Sequence, residues 1–280
     1  AVRRRGARAV VTALHAFQPS EALAAKILCL PMIVVQDGYL PVNYPLAVYG
    51  VYRGARFIWW SESSREWGAR LGFEGGVCTP HFPVPTSPRI ESTGSVAPRI
   101  LAMLNHGGEW TSLIFRSDID RFVAGIVATA RLRPQVAFRI RTHPTMVLDV
   151  HDGVNAADRL QRFVAESGVA NVSFSETHLD TDIDWATFAI SEYSLTLLEF
   201  VARNHGGIAT FNPTGRRDFF SEFTARGVPH ATDPDQLAAL VDRQPLEGSA
   251  IIRTMMQPAR ATVMATVRSL IGPEIGKSNP

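Results

Sequence analysis

The chain repeats one pattern: a short apolar run, a turn, then apolar residues three or four positions apart. Ala9 to Leu14, Met32 to Val35, Phe57 to Trp60 and Val77 to Thr79 read as strands in the first part. In the second part Arg99 to Leu104, Val136 to Ile140, Val172 to Phe174, Phe188 to Ile190 and Ile208 to Phe211 do the same. Runs of this length, bounded by turn residues, suit buried strands. Helical periods fill the intervals. Ser20 caps Glu21 to Ile27, Pro45 to Tyr52 carries its proline in the first turn, and Ser61 or Ser63 caps a helix ended at Gly72. Asp118 opens a helix to Leu132 with Phe122, Ile126 and Ala130 on one face. Further helices are expected over Asn155 to Ser167, after Ser191, near Asp218 to Ala225, and over Asp235 to Val241. Strands and helices in this alternation predict an α/β protein of doubly wound, Rossmann-like sheets.

A stretch without helical period, marked by Pro83, Pro85 and Pro88, divides the pattern. It sets residues 83–97 as a linker between a first Rossmann-like domain (1–82) and a second (98–248), with a C-terminal helix and tail over 249–280. Ser249 to Ile271 reads as one long amphipathic helix bent at Pro258, docking on one or both domains. The chain starts at Ala1 and enters a strand-like run almost at once, so a truncated first domain and an absent upstream segment are expected.

Composition narrows the function classes. With 46% apolar residues a sizeable core is feasible, and a net charge of +2 gives no field favouring nucleic acid. The 2 cysteines, Cys29 and Cys78, make no disulfide framework, which points to a reducing, cytoplasmic setting. No apolar run approaches the roughly 18 residues of a membrane span.

Two segments carry candidate chemistry. Phe188-Ala189-Ile190 is followed by Ser191, placed where a helix N-cap belongs, with Ser194 three residues on. A helix start has unpaired N–H groups and a partial positive charge, which together bind an anion. The strand Val136 to Ile140 runs into Arg141-Thr142-His143-Pro144, where the proline stiffens a turn holding a guanidinium and an imidazole. In a doubly wound sheet both turns fall at the carboxyl ends of strands, so they predict one phosphate site. Glu192 pairs with a ribose hydroxyl or a basic neighbour, and Glu199 either holds ribose hydroxyls or lies on a solvated helix face. Gly107 and Gly108 after the Arg99 strand allow close backbone approach to a nucleotide. Asp37, following Met32 to Val35, is placed to act as a general base, or else is part of an ordinary Asp-Gly turn. Arg216 and Arg217 either reach the phosphate or form a solvated turn. No zinc-like spacing and no Walker loop occurs.

Arg141 to Pro144, then Ile190 to Phe200, then Ile208 to Pro213 resemble the nucleotide-binding half of GT-B glycosyltransferases of bacterial capsule and surface-polysaccharide synthesis. The resemblance spans Met32 to Ala239. Asp37-Gly38, His143-Pro144 and Ser191 with Ser194 are similar in order to the motifs of bacterial sialyltransferases and Kdo transferases. The CDP-glycerol glycerophosphotransferases share a similar His-Pro turn, but have a Trp-His-Gly motif where this chain has Gln36-Asp37-Gly38. Two departures stand against the sialyltransferase pattern: Gln36 replaces its first acidic residue, and the serines are not adjacent. The resemblance implies transfer of an acidic sugar from a CMP-activated donor to a surface-glycan acceptor. Asp37 would then be the base, and His143 and Arg141 would stabilise the leaving phosphate. Pro144, Ser191, Glu192 and Ser194 complete the donor site. No metal or other cofactor is expected. The alternatives are a CDP-glycerol- or UDP-sugar-dependent transferase, or a non-catalytic nucleotide- or glycan-binding member. A polysaccharide-assembly complex at the inner membrane face is the further partner this implies.

Overall fold

A computed structural model of the chain describes residues 9–13, 20–36, 52–59, 62–70, 72–73, 76–78, 97–105, 116–192, 194, 196–203, 206–215, 221–255 and 260–271. The chain divides into two compact units: Ala1–Pro83 together with Met255–Pro280, and Val84–Thr254.

The first unit is built on β1 (Val10–Ala13), α1 (Ser20–Ile27), β2 (Met32–Val35), β3 (Arg56–Trp59), α2 (Glu62–Arg70) and β4 (Val77–Cys78). The strands pair in parallel in the order β1-β2-β3-β4. Alternate residues of a strand face opposite ways, and both faces are apolar here. Met32 and Val34 with Phe57 and Trp59 join Ala22 and Ala25 of α1 in one core. Ile33 and Ile58 face the other way. Trp59 stacks on Phe57, with ring centroids 4.6 Å apart, and α2 lies against it at Gly68. A Cβ at Gly68 would stand 2.3 Å from Trp59 Cζ2, so only glycine permits this approach.

The second unit comprises β5 (Arg99–Met103), α3 (Arg116–Leu132), β6 (Ala137–Arg141), β7 (Val150–His151), β8 (Val154–Asn155), α4 (Ala156–Glu166), β9 (Val172–Phe174), α5 (Leu179–Trp185), β10 (Phe188–Ser191), α6 (Thr196–Arg203), β11 (Gly207–Phe211), α7 (Ser221–Ala225), β12 (His230–Ala231), α8 (Pro234–Arg243) and α9 (Leu246–Met255). Its sheet is parallel throughout, in the order β12-β11-β10-β5-β6-β9. This is the doubly wound order, whose winding reverses between β5 and β10. The central strands β5, β10 and β11 are close to continuously apolar, as burial on both faces requires: β10 and β11 are buried along their whole length.

Asp182 to Trp185, to which the sequence pattern assigns no element, lies within helix α5. One expectation is corrected. β10 continues through Ser191, and α6 does not begin until Thr196, so Ser191 is a strand residue and not the helix cap. Of the expected bent C-terminal helix, α9 (Leu246–Met255) and α10 (Arg260–Ile271) are helical, Pro258 lies outside the described residues, and α10 belongs to the first unit. There Val267 and Leu270 cover Ile33 and Ile58, and Arg56 donates to the Leu270 carbonyl. Most of the expected linker lies outside the described residues.

Candidate functional site

Ligands of open parallel sheets bind outside the carboxyl ends of the strands, where the winding reverses. In the second unit that place is the end of β5 beside the end of β10. Ser191 pairs in register with Met103, and Met103 with Arg141, so the ends of β10, β5 and β6 stand in one row. At about 4.8 Å per strand, the Arg141 and Ser191 backbones are about 10 Å apart. The two segments singled out in the sequence therefore share one rim.

Their side chains do different work. Ser191 is fully buried, and its hydroxyl donates to the Met103 carbonyl at 2.9 Å. Ser194 is the cap: its Oγ accepts from the Thr196 amide at 3.3 Å, and its carbonyl from the Leu197 amide at 3.0 Å. The amino terminus of α6 thus opens on the rim between β10 and its neighbours.

Glu192 follows directly after β10 and borders a small cleft lined by Met103, Leu104, Asn105, Ile119 and Phe122. Burial, and secondarily the Asp118 carboxylate at the start of α3, pushes its carboxyl up to about 7. A Glu192 anion at this point would oppose a bound phosphate, whereas the neutral acid donates a hydrogen bond. Sequence reading assigned Glu192 to the site but took Asp118 only as the helix opening. Asp118 is itself buried, and nothing in its local pattern marks it as a neighbour of Glu192.

Arg141 points to the α5 side of the sheet. Its Nη1 donates to Asp182 Oδ2 at 2.7 Å, to the Thr177 carbonyl at 2.9 Å and to Ser175 Oγ at 3.4 Å. Arg139, two residues earlier and so on the same face, donates to Asp182 Oδ1 at 3.0 Å. It also lies over the Trp185 ring, 4.0 Å from the centroid. Asp182 is fully buried, and burial alone would raise its pKa. Hydrogen bonds from Ser175, Arg141, Thr177 and Arg139 outweigh that and hold it below the usual carboxylate range. The guanidinium expected on a phosphate is therefore engaged, at Nη1, in pinning α5 beneath the rim. Glu199 of α6 is half-buried, and its pKa is raised by burial first, with Arg203 and Arg141 opposing and Asp180 assisting.

His143 is half-buried, and its carbonyl accepts from the Met146 amide at 2.9 Å as the 3₁₀ turn Pro144–Val147 begins. Pro144 is exposed at the first position of that turn, where the missing N–H costs nothing. At the end of β11, Asn212 Oδ1 accepts from the Thr214 and Gly215 amides at 3.2 Å each and shapes the turn before Arg216. Asp37, Gly107, Gly108, Arg216 and Arg217 lie outside the described residues. Among the described residues, no group of three or more His, Cys, Asp or Glu side chains is placed to hold a metal ion.

No protein-family model and no curated protein matches the chain in sequence. Solved structures do match it in shape. A Staphylococcus aureus MnaA–UDP complex superposes with a TM-score of 0.62 at 10% identity, covering 96% of this chain and 76% of that one. The Anabaena protein Alr3699/HepE, in complex with UDP and glucose, gives a TM-score of 0.57 at 12% identity, covering 98% and 78%. The spinosyn rhamnosyltransferase SpnG gives 0.50 at 14% identity, covering 95% and 74%. At such identities likeness carries architecture alone, and the architecture it gives this chain is the GT-B fold, two Rossmann-like units each built on a parallel sheet.

Proposed function

We propose that the chain is a glycosyltransferase that moves a sugar from a nucleotide-activated donor, with the donor phosphates on the rim of the second unit. The reading rests chiefly on the reversal point between β5 and β10, onto which the Ser194-capped terminus of α6 opens. Two of the structures similar in fold were solved with UDP, and another is a rhamnosyltransferase. These favour a UDP-linked donor over the CMP-linked acidic sugar. The CMP reading drew on Asp37-Gly38, His143-Pro144 and Ser191 with Ser194 in that order, and of the last pair the Ser191 hydroxyl already serves the Met103 carbonyl.

In this mechanism the α6 amides and the Ser194 turn receive the departing phosphate, while His143 supplies charge or a proton to it. Neutral Glu192 adds a hydrogen bond at the same place. Asp37 takes the acceptor hydroxyl proton, a role assigned from its motif alone. The acceptor is proposed to be a glycan, and catalysis to need no metal. The test is a calorimetric titration with UDP, UMP, CDP and CMP. UDP should bind at least tenfold more tightly than CMP, and Ser194→Ala should weaken it by about fivefold, the worth of one cap or hydrogen bond. Asp37→Asn should abolish transfer without altering that affinity, and transfer should survive EDTA. Tighter binding of CMP would restore the acidic-sugar donor, and no binding by any nucleotide would leave a non-catalytic member of the fold.

A further inference from the structure

Two guanidinium groups share one carboxylate on the α5 side of the second sheet. Asp182 is fully buried, and both of its oxygens are filled. Oδ1 accepts from Arg139 Nη1 at 3.0 Å and from Thr177 Oγ1 at 2.8 Å. Oδ2 accepts from Arg141 Nη1 at 2.7 Å and from Ser175 Oγ at 2.5 Å. One negative charge against two positive ones leaves a positive charge over. Arg139 lies two residues before the end of β6 and covers the Trp185 ring. Arg141 is the last residue of β6, so the surplus charge reaches the rim with it.

The hydrogen bonds of Arg141 with described residues all leave from Nη1, to Asp182, to the Thr177 carbonyl and to Ser175 Oγ. Its other edge, Nε with Nη2, meets no acceptor among the described residues, and the side chain is 23% exposed. That edge is the two-pronged fork with which arginine grips oxyanions. Elsewhere in the chain the same fork holds an acid. Arg133 presents Nε and Nη2 to Asp242 at 2.7 and 2.6 Å, and Arg116 presents them to Asp149 at 3.3 and 2.5 Å. Fastening Nη1 to a buried carboxylate removes most of the freedom of a rim arginine, so the direction of the fork is set before a ligand arrives.

We propose that Asp182 is a positioning residue of the donor site: it anchors Nη1 of Arg141 so that the Nε–Nη2 fork receives a phosphate of a nucleoside diphosphate. The inference rests on the donor site proposed above and adds to it a residue that never touches the ligand. Arg139 offsets the Asp182 charge, which leaves the charge of Arg141 for the phosphate. Arg141 stands on the β6 side of the switch strand β5, and the capped terminus of α6 follows β10 on the other side. A diphosphate offers an oxyanion to each, and a bare nucleoside offers none.

The test is a double-mutant cycle read by calorimetry, with UDP and uridine as probes. R141K keeps the charge but has no fork. It should weaken UDP by about tenfold or more and leave uridine unchanged. D182N should weaken UDP by a similar factor in the parent, yet by less than about twofold in the R141K background, because it acts through Arg141 alone. T177V takes a hydrogen bond from the Arg139 side of the same carboxylate. It should lower the melting temperature and keep the parent's affinity for UDP, which separates positioning from general loss of stability. Melting curves show whether each variant is folded at the titration temperature. Should D182N fail there, S175A takes its place: it removes a smaller part of the anchor and should weaken UDP about threefold, again only while Arg141 is present. R141K binding UDP as tightly as the parent, or losses that simply add, overturns the inference and leaves the donor site standing. A parent chain that binds neither UDP nor uridine overturns both.

Discussion

Asp182 and Glu192 are carboxyl groups of one sheet's upper layer, ten residues apart, and their neighbours drive them in opposite directions. Asp182 meets donors from β6, from the end of β9 and from the turn before α5. Its folded pKa lies below the ordinary 3.8, so its contribution to stability is fully present above that pH and fades as pH falls through the folded value. Asp182→Asn removes the charge and leaves Arg139 and Arg141 facing each other; chemical denaturation at pH 7 should register a loss of about 3 kcal/mol, shrinking in strong acid. Glu192 meets apolar walls and Asp118 instead. Its pKa rises from 4.5 to about 7, so the folded protein holds a proton there that the unfolded chain releases. Stability should then fall as pH rises from 4.5 to 7, and Glu192→Gln should abolish that slope. At pH 8 the variant should be the more stable by about 3 kcal/mol, while near pH 4 the two should melt alike. A nucleotide that accepts the Glu192 proton in a hydrogen bond should bind more weakly above pH 7.

At the scale of elements, glycine tests whether packing or propensity governs α2. Alanine is the better helix former by about 1 kcal/mol, yet a Cβ at Gly68 strikes the Trp59 ring. Gly68→Ala should therefore destabilise the first unit by about 2 kcal/mol, visible as a lower midpoint in thermal melts that follow Trp fluorescence. The same contrast between local and tertiary causes explains what was legible in the sequence. The strands of both sheets other than β12 announced themselves through apolar runs, and α3 and α4 through their period, with Asn155 capping α4 as a side-chain oxygen before a helix should. Helix α5 did not. Leu179 to Trp185 alternates acids with apolar residues and has little pattern of its own, and it is fixed by the pull of Arg139 and Arg141 on Asp182 and by Trp185 under Arg139. The β7–β8 hairpin left a mark that went unread. Asp152-Gly153 takes φ values of 51° and 77°, the left-handed pair that an Asp-Gly hairpin turn requires, but the strands beside it have two residues each. At the site, position was legible and role was not. The row through Ser191, Met103 and Arg141 follows from strand order, whereas the choice of Ser194 over Ser191 as cap depends on where β10 stops.

For the molecule as a whole, the telling feature is α10. It follows the entire second unit in the chain, yet its Val267 and Leu270 complete the core of the first. A chain ending at residue 259 should expose Ile33 and Ile58, and limited proteolysis should then digest the first unit while the second survives as a resistant fragment; equal resistance of both would contradict this. The contact between Arg56 and Leu270 joins positions 214 residues apart. During synthesis at about 5–20 residues per second, the first strands would wait on the order of ten to forty seconds for their covering helix. The half of the protein made first is thus the half finished last, and in the interval its bare apolar face is a target for chaperones on the ribosome.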